Sequence, residues 1–404
     1  VIARRTLLGA AALGASATIA APRARAANAA PGTGPVRIGV LTDASGPYVD
    51  SGGPGSLLAA RMAAADFGGT VLGQPIQAVI GDSQNKPDVA AAIAREWFDT
   101  GGVDAVTDLP VTPVALAVQQ IAKEKQRTVM ITASAINEFT SKFCTPVSTH
   151  WADDVHAMTT GTAKQVVANG GKTWFFVTVD FTFGHALQAA ATAVIEANGG
   201  KVLGAATFPI GNTDFSSQLV TAQSSGAQVI GLAAVGNDQV NAIKQAAEFG
   251  LTRGNGKTLA GFLIYITDIN SLGLAQAQGL TLSSGLYWNQ TDASRAFSKR
   301  YFAERHAMPT RNQASVYIAT RHFLKAMAQA GTRDALAVGK AMRALPVDYL
   351  GRPASVRADG RVLYDVTLYR VKTPAQSTAP WDDYQPIGTL AAAEAFLPMN
   401  PACA

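Results

Sequence analysis

The segment "VTVDFTFGHAL" (177–187) brings an acid, a hydroxyl and an imidazole, Asp180, Thr182 and His185, within six positions of one another. These are the parts of a nucleophilic triad, but a triad needs its nucleophile on a tight turn with base and orienting acid in reach. Here a strand-to-helix turn separates Asp180 from His185, and no glycine-framed nucleophile is near. "GLTRGNGKT" (250–258) resembles a phosphate-binding loop, yet five residues separate Gly250 from Gly256 where that loop needs four, and a strand follows where a helix should. His150 and His156 are six apart, unlike the three or four of helical metal pairs, and neither Cys144 nor Cys403 belongs to a CxxC or His-rich pattern. No catalytic set, metal site or cofactor is expected.

What recurs instead is a type of strand end. "DASGPYVDSGGPGS", "DLPVTP", "ITASA", "VDFTFG", "AAVGND" and "YITDI" all combine small hydroxyls, glycines and aromatics. In open α/β sheets ligands sit beyond the carboxyl ends of strands, where helix N-termini offer free N–H groups and a positive dipole end to an anion. Each segment alone reads as an ordinary turn and cap; the set argues for a binding cleft.

The elements that must position these ends alternate. Strand-like runs at 36–42, 76–82, 104–109 and 128–134 are separated by helical patterns, and the alternation restarts near residue 156 with strands from 173 onward. The pattern predicts an α/β fold of two Rossmann-like lobes with parallel-rich sheets. Helices near 291–307, 312–330 and 332–344 suggest a return to the first lobe. The expected division is lobe 1 at 36–155 plus 285–345, lobe 2 at 156–284 plus 346–375, and a C-terminal tail at 376–404.

The 404 residues, 48% hydrophobic and 15% charged, suffice for two cores. Residues 1–26 read as an export signal of the twin-arginine or Sec type: Arg4 and Arg5, an apolar run from Leu7 to Ala21, and an Ala24-Arg25-Ala26 cleavage site. Residues 27–35 form a linker. Removing the four basic residues of the leader from the formal +5 leaves +1, which provides no electrostatic footprint for nucleic acid. Export also makes a Cys144–Cys403 disulfide the better reading of the two cysteines, tying the tail to lobe 1.

The segments "VRIGVLTDASGPYVDSGGPGSLLAARMAAADFGG", "GDSQNKPDVAAAIAREWF", "VDAVTDLPVTPVALAVQQIAKEK", "VDFTFGHALQ" and "TDFSSQLVTAQSSGAQVIGLAAVGND" together resemble the periplasmic substrate-binding components of ABC importers. The similar branch is that of leucine/isoleucine/valine-binding proteins. The resemblance implies the type I periplasmic binding fold, with two lobes joined by a three-stranded hinge and closing on a small molecule. It also implies a periplasmic monomer that hands its ligand to a membrane permease and catalyses nothing. By resemblance, Asp180, Phe181 and Gly184, with Phe183 beside them, form the lobe 2 wall, while Ser45, Tyr48, Thr132, Ala133 and Ser134 occupy the positions that hold a ligand carboxylate. Pro110, Gly236, Tyr265 and Tyr287 complete the expected ligand-binding set.

An amino-acid ligand also needs an acid for its ammonium group, because a buried unpaired charge is costly. Asp180 and Asp268 are candidates, whereas Asp238 reads better as a helix cap. Tyr48, Phe181, Phe183, Tyr265, Tyr287 and Trp288 are many aromatic candidates for a chain that is 7% aromatic. An aromatic or other hydrophobic carboxylate is therefore the expected ligand, with branched-chain amino acids as the alternative. A ligand sensor for a membrane receptor is the rival function. A cytoplasmic regulator on the same fold is disfavoured by the leader and by the missing helix-turn-helix segment.

Overall fold

A computed structural model describes residues 34–251 and 257–403. The leader and most of the linker, and the core of the segment resembling a phosphate loop, lie outside the described residues.

The first lobe runs β1 (Val36–Thr42), α1 (Gly53–Asp66), β2 (Thr70–Val71), β3 (Gln74–Asp82), α2 (Pro87–Asp99), β4 (Val103–Asp108), α3 (Thr112–Lys125), β5 (Thr128–Ile131) and β6 (Ser148–His150). Its sheet has the order β2-β3-β1-β4-β5-β6 and is parallel except for β2. β4 and β5 are buried along their whole length, as strands covered by helices on both faces must be.

The second lobe continues with α4 (Val155–Ala168), β7 (Thr173–Val179), α5 (Thr182–Ala197), β8 (Lys201–Phe208), α6 (Ser216–Ser224), β9 (Val229–Ala233), α7 (Gly236–Glu248), β10 (Thr258–Gly261), α8 (Ile266–Leu272), α9 (Leu274–Ala277) and β11 (Thr281–Ser284). The chain then returns to lobe 1 with α10 (Asp292–Arg305), α11 (Arg311–Ala330), packed on α1, and α12 (Ala335–Ala344). A small antiparallel sheet follows, formed by β12 (Val347–Asp348), β13 (Pro353–Val356) and β14 (Val362–Leu363). Finally β15 (Val366–Val371) and β16 (Tyr384–Leu390) join the second sheet, whose order is β16-β15-β11-β10-β9-β7-β8, and α13 (Ala392–Ala395) follows.

Two stretches differ from the expected division. Residues 347–363 lie with lobe 1, because Val347, Tyr349, Leu350, Val356 and Val362 bury in the same core as Phe323, Val338 and Met342 of α11 and α12. The expected tail instead supplies β16 to the lobe 2 sheet. Pro386 and Gly388 interrupt its alternation, and a strand with Pro is tolerated at a sheet edge, where β16 lies.

The chain passes between lobes at 151–154, 285–291 and 364–365. Asp153 knots these crossings: its Oδ2 accepts the Gly285 N–H at 2.8 Å and its Oδ1 the Tyr364 hydroxyl at 2.8 Å, with Arg311 Nε 3.4 Å from Oδ2. A Cβ at Gly285 would lie 2.5 Å from both Asp153 Oδ1 and the Tyr364 ring, so only glycine fits there. Beside it Arg361 pairs with Asp154 at 3.3 Å and donates to the Ala152 carbonyl at 2.6 Å.

Candidate functional site: an interlobe cleft

In each sheet the strand order reverses beside a central strand, between β1 and β4 in lobe 1 and between β7 and β9 in lobe 2. The carboxyl ends at these switch points are where open α/β sheets bind ligands. They face one another across a cavity of about 40 Å³. Tyr48 and Ser51 follow β1, Pro110 to Thr112 follow β4, and Ala133 and Ala135 follow β5. Asn312 of α11 joins them from lobe 1, and opposite stand Phe181 and Phe183 after β7, Val235 after β9, and Leu263 and Tyr265 after β10. Surface depressions of about 590 and 680 Å³ elsewhere are larger but lie away from the switch points. Topology, not volume, selects the site.

Local structure explains how the walls are aimed. Asp43 accepts the Gly46 and Tyr48 N–H groups at 2.7 and 2.9 Å and the Asn85 amide at 2.7 Å, which folds the "SGPY" turn and holds Tyr48 inward. Burial pushes the Tyr48 phenol up to about 12, so it stays a neutral donor. Asp108 and Leu109 both adopt left-handed backbone, φ 79° and 64°, which costs free energy for residues with a Cβ and turns Pro110 toward the cleft. The Asp108 carbonyl accepts from Thr132 and Ala133 N–H at 3.2 Å each, joining that turn to the end of β5.

Three helices of full length begin on the cavity wall. Their N-caps are Val111 for α3, Phe181 for α5 and Val235 for α7, all extended and none offering a side-chain acceptor. By contrast α4, α10, α11 and α12 are capped by Asp154, Thr291, Thr310 and Asp334. Since α2 and α6 also lack a side-chain cap, an uncapped start is no marker by itself; its place on the cavity is. The first-turn N–H groups and dipole ends at this wall suit an anion. No Asp or Glu side chain lines the cavity.

Of the expected set, Tyr48, Pro110, Ala133, Phe181, Phe183 and Tyr265 lie on the cavity wall. Ser45 does not: it is exposed, and its hydroxyl donates to Asp82 at 2.6 Å. Thr132 and Ser134 are buried behind the wall, Ser134 Oγ 3.1 Å from Thr112 Oγ1. Gly236 lies one residue beyond Val235, and a Cβ there would stand 3.6 Å from the Pro47 carbonyl, so the lobes already meet at this point. Asp180 is exposed and paired with His185 at 2.8 Å, both on the surface. Tyr287 and Trp288 are elsewhere, each donating to the Trp381 carbonyl, at 3.1 and 2.7 Å. Asp268 accepts the Tyr265 N–H at 2.8 Å, and burial pushes its carboxyl up to about 6. Asp238 is not a cap but the third residue of α7, accepting from Gly211 N–H at 3.0 Å. The residues missing from the expected set are mainly Ser51, Val111, Thr112, Val235, Leu263 and Asn312. Ser51, Val111, Thr112 and Val235 fall within the strand-end segments that the sequence singled out, although Thr112, which ahead of Pro113 reads as a helix cap, is the first residue of α3 and Val111 its cap.

Residues 35–378 match the family model described as periplasmic binding protein. The chain belongs to the periplasmic binding proteins. A periplasmic binding protein from Burkholderia mallei is 43% identical, with a TM-score of 0.86 over 90% of this chain and 96% of that one. A branched-chain amino acid ABC transporter periplasmic ligand-binding protein from Burkholderia xenovorans LB400 is 37% identical, with a TM-score of 0.82 over 90% and 97%. A solute-binding protein of an R. palustris ABC transporter, solved with benzoate, shares the fold at 18% identity, TM-score 0.78, over 89% and 99%. No curated relative matches the chain closely enough to carry a comparison. As a periplasmic binding protein the chain is an exported ligand-binding component of an ABC transporter, partnered by a small molecule and a permease. The Cys144–Cys403 disulfide is present, with Cα atoms 6.0 Å apart.

Proposed function

We propose that this binding protein captures an aromatic or other hydrophobic carboxylate, of benzoate or cinnamate type, for delivery to its permease. One observation carries the reading: helix N-termini without side-chain caps meet at an apolar, acid-free cavity. An acid-free wall leaves an α-ammonium group without a partner, while a carboxylate finds main-chain donors. Those donors, rather than the hydroxyls of Ser45, Thr132 and Ser134, hold the carboxylate. The rings of Tyr48, Phe181, Phe183 and Tyr265 pack on the rest of the ligand. Ligand enters when the lobes part about the crossings, and closure excludes water. The protein acts as a monomer and without turnover.

Branched-chain amino acids are the second reading, favoured by the description of the Burkholderia xenovorans relative. A thermal-shift screen of benzoates, cinnamates, leucine and valine separates the two. A ligand at about 100 times its Kd adds about 2.7 kcal/mol of stability. Stabilisation by leucine or valine and by no aromatic acid would reject the proposal and make Asp268, behind Tyr265, the ammonium partner, since Asp180 is on the surface with His185. Delivery rather than sensing requires the loaded protein to stimulate ATP hydrolysis by its reconstituted transporter.

A further inference from the structure

Asn312 and Tyr265 meet on the cavity wall from opposite lobes. Asn312 is the second residue of α11 in lobe 1, and Tyr265 precedes α8 in lobe 2. Asn312 Nδ2 donates to the Tyr265 hydroxyl at 3.0 Å, and the two side chains sit in residues only 4% and 6% exposed. Arg311 fixes the tyrosine ring: its guanidinium carbon lies 4.6 Å from the ring centroid, and its Nη1 donates to the Ile264 carbonyl at 3.0 Å.

The hydrogen-bonding inventory of this pair is incomplete. The tyrosine oxygen accepts from Asn312 and keeps its own proton to give, while the Asn312 side chain, on the cavity wall, is engaged among the described residues through Nδ2 alone, which leaves Oδ1 to accept. With the amide turned the other way, Tyr265 donates to Oδ1, leaving the phenolic oxygen as acceptor and Nδ2 as donor. In either orientation the pair presents one donor and one acceptor on neighbouring atoms to an otherwise apolar wall. A hydroxyl group is the smallest that answers both, giving a proton to one atom and taking one from the other. A ring hydrogen, methyl or halogen answers neither and leaves the remaining donor and acceptor of the pair facing an apolar surface, the situation in which sites discriminate most strongly.

We infer that Tyr265 and Asn312 form a hydroxyl-reading subsite, so that the acid captured is hydroxylated, of hydroxybenzoate or hydroxycinnamate type. The inference rests on the aromatic-acid reading above. Because each lobe supplies one half of the pair, closure assembles the subsite, and the ligand hydroxyl ties the two lobes together.

Calorimetric titration of the exported chain with benzoate, the three monohydroxybenzoates and their methoxy counterparts tests it. At least one hydroxy isomer is expected to bind about tenfold tighter than benzoate or better, with its methoxy counterpart losing that gain. In Tyr265→Phe and in Asn312→Leu the ratio of the two Kd values is expected to fall toward one, with thermal unfolding used to verify that each variant is folded. The wild-type ratio alone is decisive if a variant does not fold. Binding of benzoate with no tighter hydroxy isomer would overturn the inference and leave the aromatic-acid reading standing, as would an unchanged ratio in both folded variants. Binding of leucine or valine with no aromatic acid bound would overturn both.

Discussion

Asp153 shows how much a single carboxylate carries at the hinge. It is fully enclosed, accepts from two crossings and faces Arg311, so Asp153→Ala leaves a buried guanidinium without its carboxylate and is expected to cost about 3–5 kcal/mol in urea unfolding. Asp153→Asn keeps an acceptor for Gly285 and should cost less. Two other buried groups give opposite pH dependences. His150 donates from Nε2 to the Ser134 carbonyl at 2.8 Å and accepts from Arg361, and burial holds its pKa well below the ordinary 6.5. Below that pH the unfolded chain takes up a proton that the folded chain refuses, so this contribution is lost on acidification. Burial pushes Asp108 the other way, from 3.8 up to about 6, so the folded state holds a proton that the unfolded state releases. Stability from Asp108 therefore falls as pH rises between those values. Asp108→Asn, which also tolerates the left-handed backbone, should gain about 1–3 kcal/mol at pH 8. At pH 4 the gain should vanish, as chemical denaturation at the two pH values will measure.

Among the elements, some helices are finished by their own caps, and three without a side-chain cap, α3, α5 and α7, start on the cavity wall. Thr310 caps α11, accepting from Gln313 N–H, so Thr310→Ala should lower stability by about 1 kcal/mol. Val111 starts α3 on the cavity wall without an acceptor. Val111→Asp supplies the missing cap, so the unliganded protein should keep its stability within about 1 kcal/mol. The same carboxylate occupies the place of an anion, and the affinity for an aromatic acid should fall at least tenfold, as calorimetry will read. Equal affinity in Val111→Asp would mean that the ligand does not meet the α3 terminus.

For the whole molecule, the C-terminal segment is a fourth link between lobes. It leaves lobe 2 at β16, and Glu394 of α13 pairs with Lys164 of α4. Phe396 then packs under Arg361, 4.2 Å from the guanidinium carbon to the ring centroid, and Arg357 holds the Leu397 carbonyl at 2.8 Å. Cys403 ends the segment on Cys144 of lobe 1, 259 residues away in sequence. A loop of that length corresponds to about 5.5 kcal/mol in the chain-entropy model. The Cys144→Ser, Cys403→Ser double variant should therefore unfold at lower denaturant and, with the strap freed at one end, release ligand faster in stopped-flow dissociation.

The alternation of strands and helices, its restart near residue 156 and the strand-end segments were legible in the sequence, because local propensity and hydrophobic period write themselves along the chain. The pairing of the cysteines was legible too, since only two exist in the whole chain. Tyr48, Phe181 and Phe183 could be named from the family resemblance and Tyr265 as an aromatic at a strand end, and all four line the cavity. Which hydroxyls turn away was decided in three dimensions: Ser45 is drawn off by Asp82 and Ser134 by Thr112, partners distant in sequence. Asn312 reaches the cavity only because α11 returns to lobe 1 and sets its first turn against Tyr265 of the other lobe. Tyr287 leaves the cleft because its hydroxyl finds the Trp381 carbonyl, 94 residues away. A sequence reports what each residue is able to bond. Which of the available partners it meets depends on long-range packing, and that was settled by the closure of two lobes around one hinge.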